Sequence, residues 1–305
     1  TDDGLVGLGE GGRGQQVPEE SLRRWLGVDP LDVEWASVGV PFEPALFDLA
    51  GKALGLPAHK LMGPKCRDRI PVGYWSCHMA PEDTAREAAQ AVRRGFRHHK
   101  LKARPWDIVE QARAIGEAAG PDYQITVDPN FAFETLEESL RLAEALAPYP
   151  IACFEDPFSW KPDFAGYPEF RQRSTIPLAP HMGRAADVLQ AVKVGAADHF
   201  NLDGCIARAR HMAGIAEAAG LSVWLQTAGL SLGIRSAYGV HVAAVIPNAT
   251  EPADLHFVKE HDLLRDSPID PQDGHIAVPA GPGLGVTVDE AAPARYCVGT
   301  QSVER

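Results

Sequence analysis

Three short polar signatures hold the residues of this chain best suited to chemistry. Lys100-Leu101-Lys102, Asp128-Pro129-Asn130 and Glu155-Asp156-Pro157 each close an apolar run and stand one strand-and-helix unit apart. Residues two apart on a strand share a face, so Lys100 and Lys102 point the same way. Amines beside carboxylates can remove a proton from a carbon next to a carboxylate if the developing charge is held. A hard divalent ion on carboxylate oxygens would hold it. Taken singly, each signature is what a solvated strand edge or a capping turn carries. Only the set, at matching strand ends, points to a site.

The elements that must position this set alternate. β-rich runs at Ile70–Tyr74, His98–Lys102, Gln124–Val127, Ile151–Phe154, Ile176–Ala179, His199–Leu202 and Ser222–Leu225 are separated by amphipathic helical patterns such as Pro81–Arg94, Trp106–Ala119 and Leu136–Leu146. Thr135 with Glu138 three residues on predicts the start of the third helix, and Gly95 and Gly120 sit at helix ends. Repeated β/α units predict a parallel barrel of the α/β class, whose strand ends converge on one mouth. The rival, an open doubly wound sheet, calls for a glycine-rich phosphate turn after its first strand. Trp75-Ser76-Cys77-His78-Met79 has none. An eighth strand is expected within Asn248–Phe257, with Glu251 or Asp254 toward the mouth. At the flanks, Gly4–Glu10 reads as a strand, Ala45–Leu61 as a helical stretch ending at Leu56-Pro57, and Gly281–Val286 as a turn and short strand.

The 305 residues are 45% hydrophobic and 23% charged, ordinary for a globular chain with a large core. The net charge of -12 argues against nucleic acid and anionic membranes as partners. An acidic substrate would need a locally positive pocket. The five cysteines are scattered and form no C-x-x-C pair, which points to a reducing, cytoplasmic setting without disulfides or structural zinc.

Phe47-Asp48-Leu49-Ala50-Gly51-Lys52, Gly55-Leu56-Pro57, Leu61-Met62-Gly63 and Gly281-Pro282-Gly283-Leu284-Gly285 resemble the capping-domain segments of the enolase superfamily, mandelate racemase and muconate lactonizing enzyme group. The resemblance spans essentially the whole chain. It implies a modified (β/α)7β TIM barrel over residues 67–274, a capping α+β module over 1–66, and a C-terminal return to that module over 275–305. Gly4–Glu10 looks like the last strand of the module's first meander, so earlier strands and an N-terminal piece are expected outside this numbering. Lys100 and Lys102 match the family's K-x-K, with Lys102 in the place of the base. Asp128 and Glu155 match ligands for Mg2+, which in this superfamily stabilises an enediolate. A small carboxylate substrate and a homo-oligomer are implied as well.

The chain departs from the family's pattern at two places. The third metal carboxylate falls on Met182, in Pro177-Leu178-Ala179-Pro180-His181-Met182, where adjacent His181 is the candidate replacement, its alternatives being a substrate contact or a ring packed under the loop. Asp203 falls at the Asp of the family's Asp–His dyad, and so is a candidate catalytic group, but Gln226 stands where the His belongs. Because Gln does not titrate, Gln226 is read with Asn130 and His78 as a substrate contact. His98, His99 and His256 lie near other strand ends. The expected function is Mg2+-dependent removal of an α-proton, with loss of water from a hydroxylated sugar acid. The alternatives are epimerisation or racemisation, and a silent paralogue acting as a binding subunit.

Overall fold

The computed structural model describes residues 1–305 except 13, 36–37, 204, 228–230, 256–262, 266–267 and 305, with the backbone alone at 293. Parallel strands form the centre. After β1 (Arg69–Pro71), which lies outside this set, they are β2 (Tyr74–Ser76), β3 (His98–Lys102), β4 (Gln124–Asp128), β5 (Ile151–Glu155), β6 (Leu178–Ala179), β7 (His181–Met182), β8 (His199–Asp203) and β9 (Ser222–Gln226). β2 to β6 pair in order, as do β7 to β9, and Pro180, which cannot donate to a ladder, separates the two runs. The ring closes through bridges Val72↔Ala253 and Gln226↔Asp254, so the expected eighth strand is reduced to residues 253–254 among the described residues. His256 lies outside them.

Registry lines up the chemistry. Lys102 pairs with Asp128, Asp203 with Gln226, and Gln226 with Asp254. Each sits at the C-terminal end of its strand, which is the mouth of the barrel. Alternation sends Phe154, Phe200, Leu202 and Leu225 outward to the helices, all fully buried. Inside the barrel, Cys153, Ala179 and Trp224 form a small apolar plug beneath the mouth. After α1 (Glu19–Arg23), α2 (Phe42–Leu54) and α3 (His59–Met62) of the flank, the helices around the strands are α4 (Pro81–Arg93), α5 (Ile108–Ala119), α6 (Leu136–Leu146), α7 (Tyr167–Arg173), α8 (Ala185–Val194), α9 (Ile206–Ala218) and α10 (Ile234–Ala244). Thr135 caps α6 by accepting the Glu138 N–H at 3.2 Å, as its spacing predicts.

Four expectations change. The run Ile70–Tyr74 divides: Arg69–Pro71 pairs antiparallel with His275–Ala277, and only Tyr74 onward joins the barrel. Gly4–Glu10 is extended but has no ladder, because it lies along the helix Phe42–Leu54 instead of against a strand. A Cβ at Gly7 would come within 2.3 Å of the Ala45 carbonyl. Ala45–Leu61 breaks into Phe42–Leu54 and His59–Met62 at left-handed Gly55. Gly281–Val286 forms a turn with a single bridge, Pro57↔Gly283, and no strand.

The flanking segments are stapled together by buried groups. Asp48 accepts the Leu8 N–H and the Leu284 N–H, each at 2.8 Å, and pairs with Lys52 at 2.6 Å. Gly51 is required because any Cβ there would meet Gly283 Cα at 2.7 Å. Glu43, fully buried, accepts the Ile206 N–H at 3.1 Å and the Tyr238 hydroxyl at 2.6 Å, tying the Phe42–Leu54 helix to α9 and α10. All five cysteines are free. No helix among the described residues is long and apolar enough to cross a membrane.

Candidate active site

Three carboxylates from three strands converge on one amine. Lys100 Nζ lies 2.7 Å from Glu155 Oε2, 2.9 Å from Asp254 Oδ2 and 3.3 Å from Asp128 Oδ2. The Lys100 side chain is 4% exposed. Burial would push its ammonium down, but Asp254, Glu155 and Asp128 together hold it well above the ordinary lysine value. Lys102, one pleat nearer the mouth and 25% exposed, donates to Asp128 Oδ2 at 2.5 Å. The two lysines thus differ in depth. Lys100 lies among the carboxylates of the floor, and Lys102 is the more exposed of the two.

The carboxylates are held on their other oxygens too. The Asn130 N–H donates to Asp128 Oδ1 at 3.0 Å, which makes the Asp128-Pro129-Asn130 turn a carboxylate clamp. Asn130 itself has a left-handed backbone and is exposed, so it acts here through its peptide. Asn201, inward-facing on β8 two residues before Asp203, donates its amide to Glu155 Oε1 at 3.0 Å. Burial works to raise Asp128, but Lys100 and Lys102 hold it below its usual value. Glu155 is raised by burial and then by Asp128. Asp156 is pushed up to about 8 by burial and by Glu155, and accepts the His181 N–H at 3.1 Å.

On the far side of the ring stands a second constellation. His181 Nε2 is 3.4 Å from Asp203 Oδ1 and 2.6 Å from Gln226 Nε2. Despite burial, which lowers it, the imidazole sits above the ordinary histidine value, because Asp203 and the acids at 155 and 156 favour its charged form. Burial likewise opposes but does not prevent the lowering of Asp203 by His181. Neutral, the ring accepts from the Gln226 amide at Nε2; protonated there, it donates to Asp203, and Gln226 then turns its amide oxygen to the ring. A third of the imidazole surface remains open. An imidazole–carboxylate pair is therefore present at strand positions five and six, with Gln226 beside it at position seven.

Next to it is a cavity of about 100 Å³ lined by Val40, Asp203, Arg208, Gln226, Thr227 and Arg235. Its two arginines supply local positive charge in an acidic chain. Glu10 accepts from Ser231 Oγ at 3.0 Å and the Arg235 N–H at 2.9 Å, bringing the N-terminal segment to this edge of the mouth. His78 is elsewhere on the rim: its Nε2 bonds Asp107 at 2.8 Å, and exposed Trp106 stands edge-on to it. His98 bonds Thr126 at 2.8 Å, and His99 bonds Ser76 and Tyr123, so both are structural. Glu251 bonds Ser222 at the opposite end of the barrel, leaving Asp254 as the acid that faces the site.

Among the described residues no group of three His, Cys, Asp or Glu is arranged to hold a metal ion. Met182 is fully buried and pairs with Leu202, so the family's third ligand position faces the helices as an apolar side chain. His181, the expected replacement, is engaged by Asp203 and Gln226. All four oxygens of Asp128 and Glu155 already accept from lysines or amides. The donor set present does not fit Mg2+, which prefers near-octahedral oxygen coordination.

Sequence reasoning located both lysines, Asp128, Glu155 and Asp203, but not the contribution of Asn201, Asp156, Arg208 or Arg235. Asn201 was within reach, since it alternates with Asp203 on one strand. The arginines lie on helices, and no spacing ties them to the mouth.

A profile of the family described as Enolase C-terminal domain-like matches residues 83–292. The chain is 31% identical over 306 residues to a probable glucarate dehydratase of Streptomyces coelicolor, covering 90% of this chain and 68% of that one. Its backbone matches the crystal structure of N-succinyl Arg/Lys racemase from Bacillus cereus with a TM-score of 0.82 at 24% identity, over 98% of this chain and 89% of the other. It also matches a dipeptide epimerase from Cytophaga hutchinsonii complexed with Mg and D-Ala-L-Val (TM-score 0.73, 27% identity, 82% and 70% covered).

Proposed function

Since the chain belongs to the enolase superfamily, we propose that it moves a proton at the carbon next to a carboxylate of a small acid and expels water from that acid. Lys102 takes the α-proton. His181, oriented by Asp203, gives a proton to the departing hydroxyl. The observation that carries this reading is the pairing of an amine on β3, a quarter exposed, with an imidazole–carboxylate pair across the mouth whose ring is a third exposed. Elimination needs one base and one acid, and the site offers one of each. Arg208 and Arg235 draw the acid into the cavity against the overall negative charge. Lys100 keeps the floor of carboxylates from repelling it.

Epimerisation is the second reading, favoured by the same pair acting as two bases on opposite faces of one carbon. The relatives include both dehydratases and racemases, so they do not choose between the two. Incubation with hydroxylated acids in deuterated water, followed by NMR, separates them. Dehydration gives a keto acid, whereas epimerisation gives deuterium at a carbon that keeps its hydroxyl. Lys102→Ala should abolish exchange, and His181→Asn should permit exchange but block loss of water. Unchanged turnover by Lys102→Ala would remove the base from this scheme.

A further inference from the structure

The floor of the mouth has a cation of its own. Asp128, Glu155 and Asp254 arrive from three strands and share Lys100 Nζ at 3.3, 2.7 and 2.9 Å. Asp128 and Glu155 are the two carboxylates retained at the family's metal positions, yet each of their oxygens has a donor. The third position is Met182, turned into the helix-facing core. A divalent ion would have to expel the ammonium from these carboxylates. The displaced Lys100 would then be a buried cation beside a dication, with Asp254 alone left to pair with it. Desolvated like charges at that range repel strongly.

We propose that Lys100 occupies the place a divalent ion takes in the family, so that this chain assembles and operates its site without a metal. The loss of the third carboxylate and the seating of Lys100 then go together: with that ligand gone, Lys100 and Lys102 are the cations that face Asp128, Glu155 and Asp254. The inference rests on the functional reading above only in identifying which carboxylates belong to the site.

The test uses Mn2+ as the probe, read by EPR and calorimetry on the full chain after dialysis against chelator. Wild type is expected to show no saturable binding at the site. Lys100→Met, which leaves its three carboxylates without this shared ammonium, is expected to bind Mn2+ at least about tenfold more tightly than wild type. One-to-one Mn2+ binding to wild type that Asp128→Asn abolishes would overturn the proposal, as would a Lys100→Met protein that folds and gains no affinity. Should Lys100→Met not fold, the wild-type titration decides alone. Solvent exchange that persists in EDTA supports the inference, and exchange that requires added Mg2+ refutes it. A protein with no exchange on any acid would count against the proposed reaction, while the Mn2+ measurement would still read the site.

Discussion

Replacing Asp203 by Asn removes a charge from beside His181 and leaves the shape nearly unchanged. At 3.4 Å a unit pair interacts by about 1 kcal/mol in bulk water and about 5 kcal/mol at an effective permittivity of about 20. A third of the imidazole and a quarter of the carboxylate are exposed, which places the coupling toward the lower end. Asp203→Asn should therefore lower the His181 pKa by about one unit, each unit being about 1.4 kcal/mol. The assay is an NMR titration of the His181 ring, assigned by comparison with His181→Gln. The sign carries over to stability. A raised histidine stabilises the fold below its unfolded pKa and loses that contribution as pH rises through its folded value. A lowered carboxylate contributes above its unfolded pKa and loses it as pH falls through its folded value. The pair helps most between the two, so the Tm loss in Asp203→Asn should be larger at about pH 6 than in alkaline buffer. If His181 is the acid, the alkaline limb of kcat/KM moves to lower pH by the same unit. An unchanged His181 midpoint would refute the coupling.

Further outcomes follow from burial and contact. Phe154→Ala, which empties a site on the helix-facing side of β5, should cost about 3–5 kcal/mol by denaturant unfolding. Asn201→Leu removes the amide that Glu155 Oε1 accepts and should cost about 1–3 kcal/mol, read as a fall in Tm. Gly51→Ala forces a Cβ against Gly283 and should cost about 1–3 kcal/mol, with faster proteolysis of the C-terminal segment. Arg67 donates to the carbonyls of Ala243 and Ile246 at 2.6 and 2.8 Å, at the end of α10. Arg67→Met should lower Tm by an amount matching about 1.5–3 kcal/mol.

How much of this was legible in sequence depended on whether a feature was local. The alternation of β-rich runs and amphipathic helices reports period and capping, which neighbours in the chain determine, so β3, β4, β5, β8, β9 and α6 stand within a residue or two of their expected places. Lys100, Lys102, Asp128 and Glu155 were legible for the same reason, because strand ends in a parallel barrel meet by construction. The strand expected at Gly4–Glu10 did not form, because a strand exists only with a partner, and partners are not encoded in the segment itself.

Tertiary packing decided the rest. Nothing in the spacing of Lys100 says that Asp254, 154 residues on, closes around its amine. His181 reads equally as a metal ligand, a substrate contact or a packed ring; the ring's curvature brings it to Asp203 and Gln226 and makes it half of an imidazole–carboxylate pair. Sequence by itself determined which strand-end residues stand at the mouth. Folding decided their charge and company, because electrostatic coupling depends on distance and burial, and both are set by which strands close the barrel.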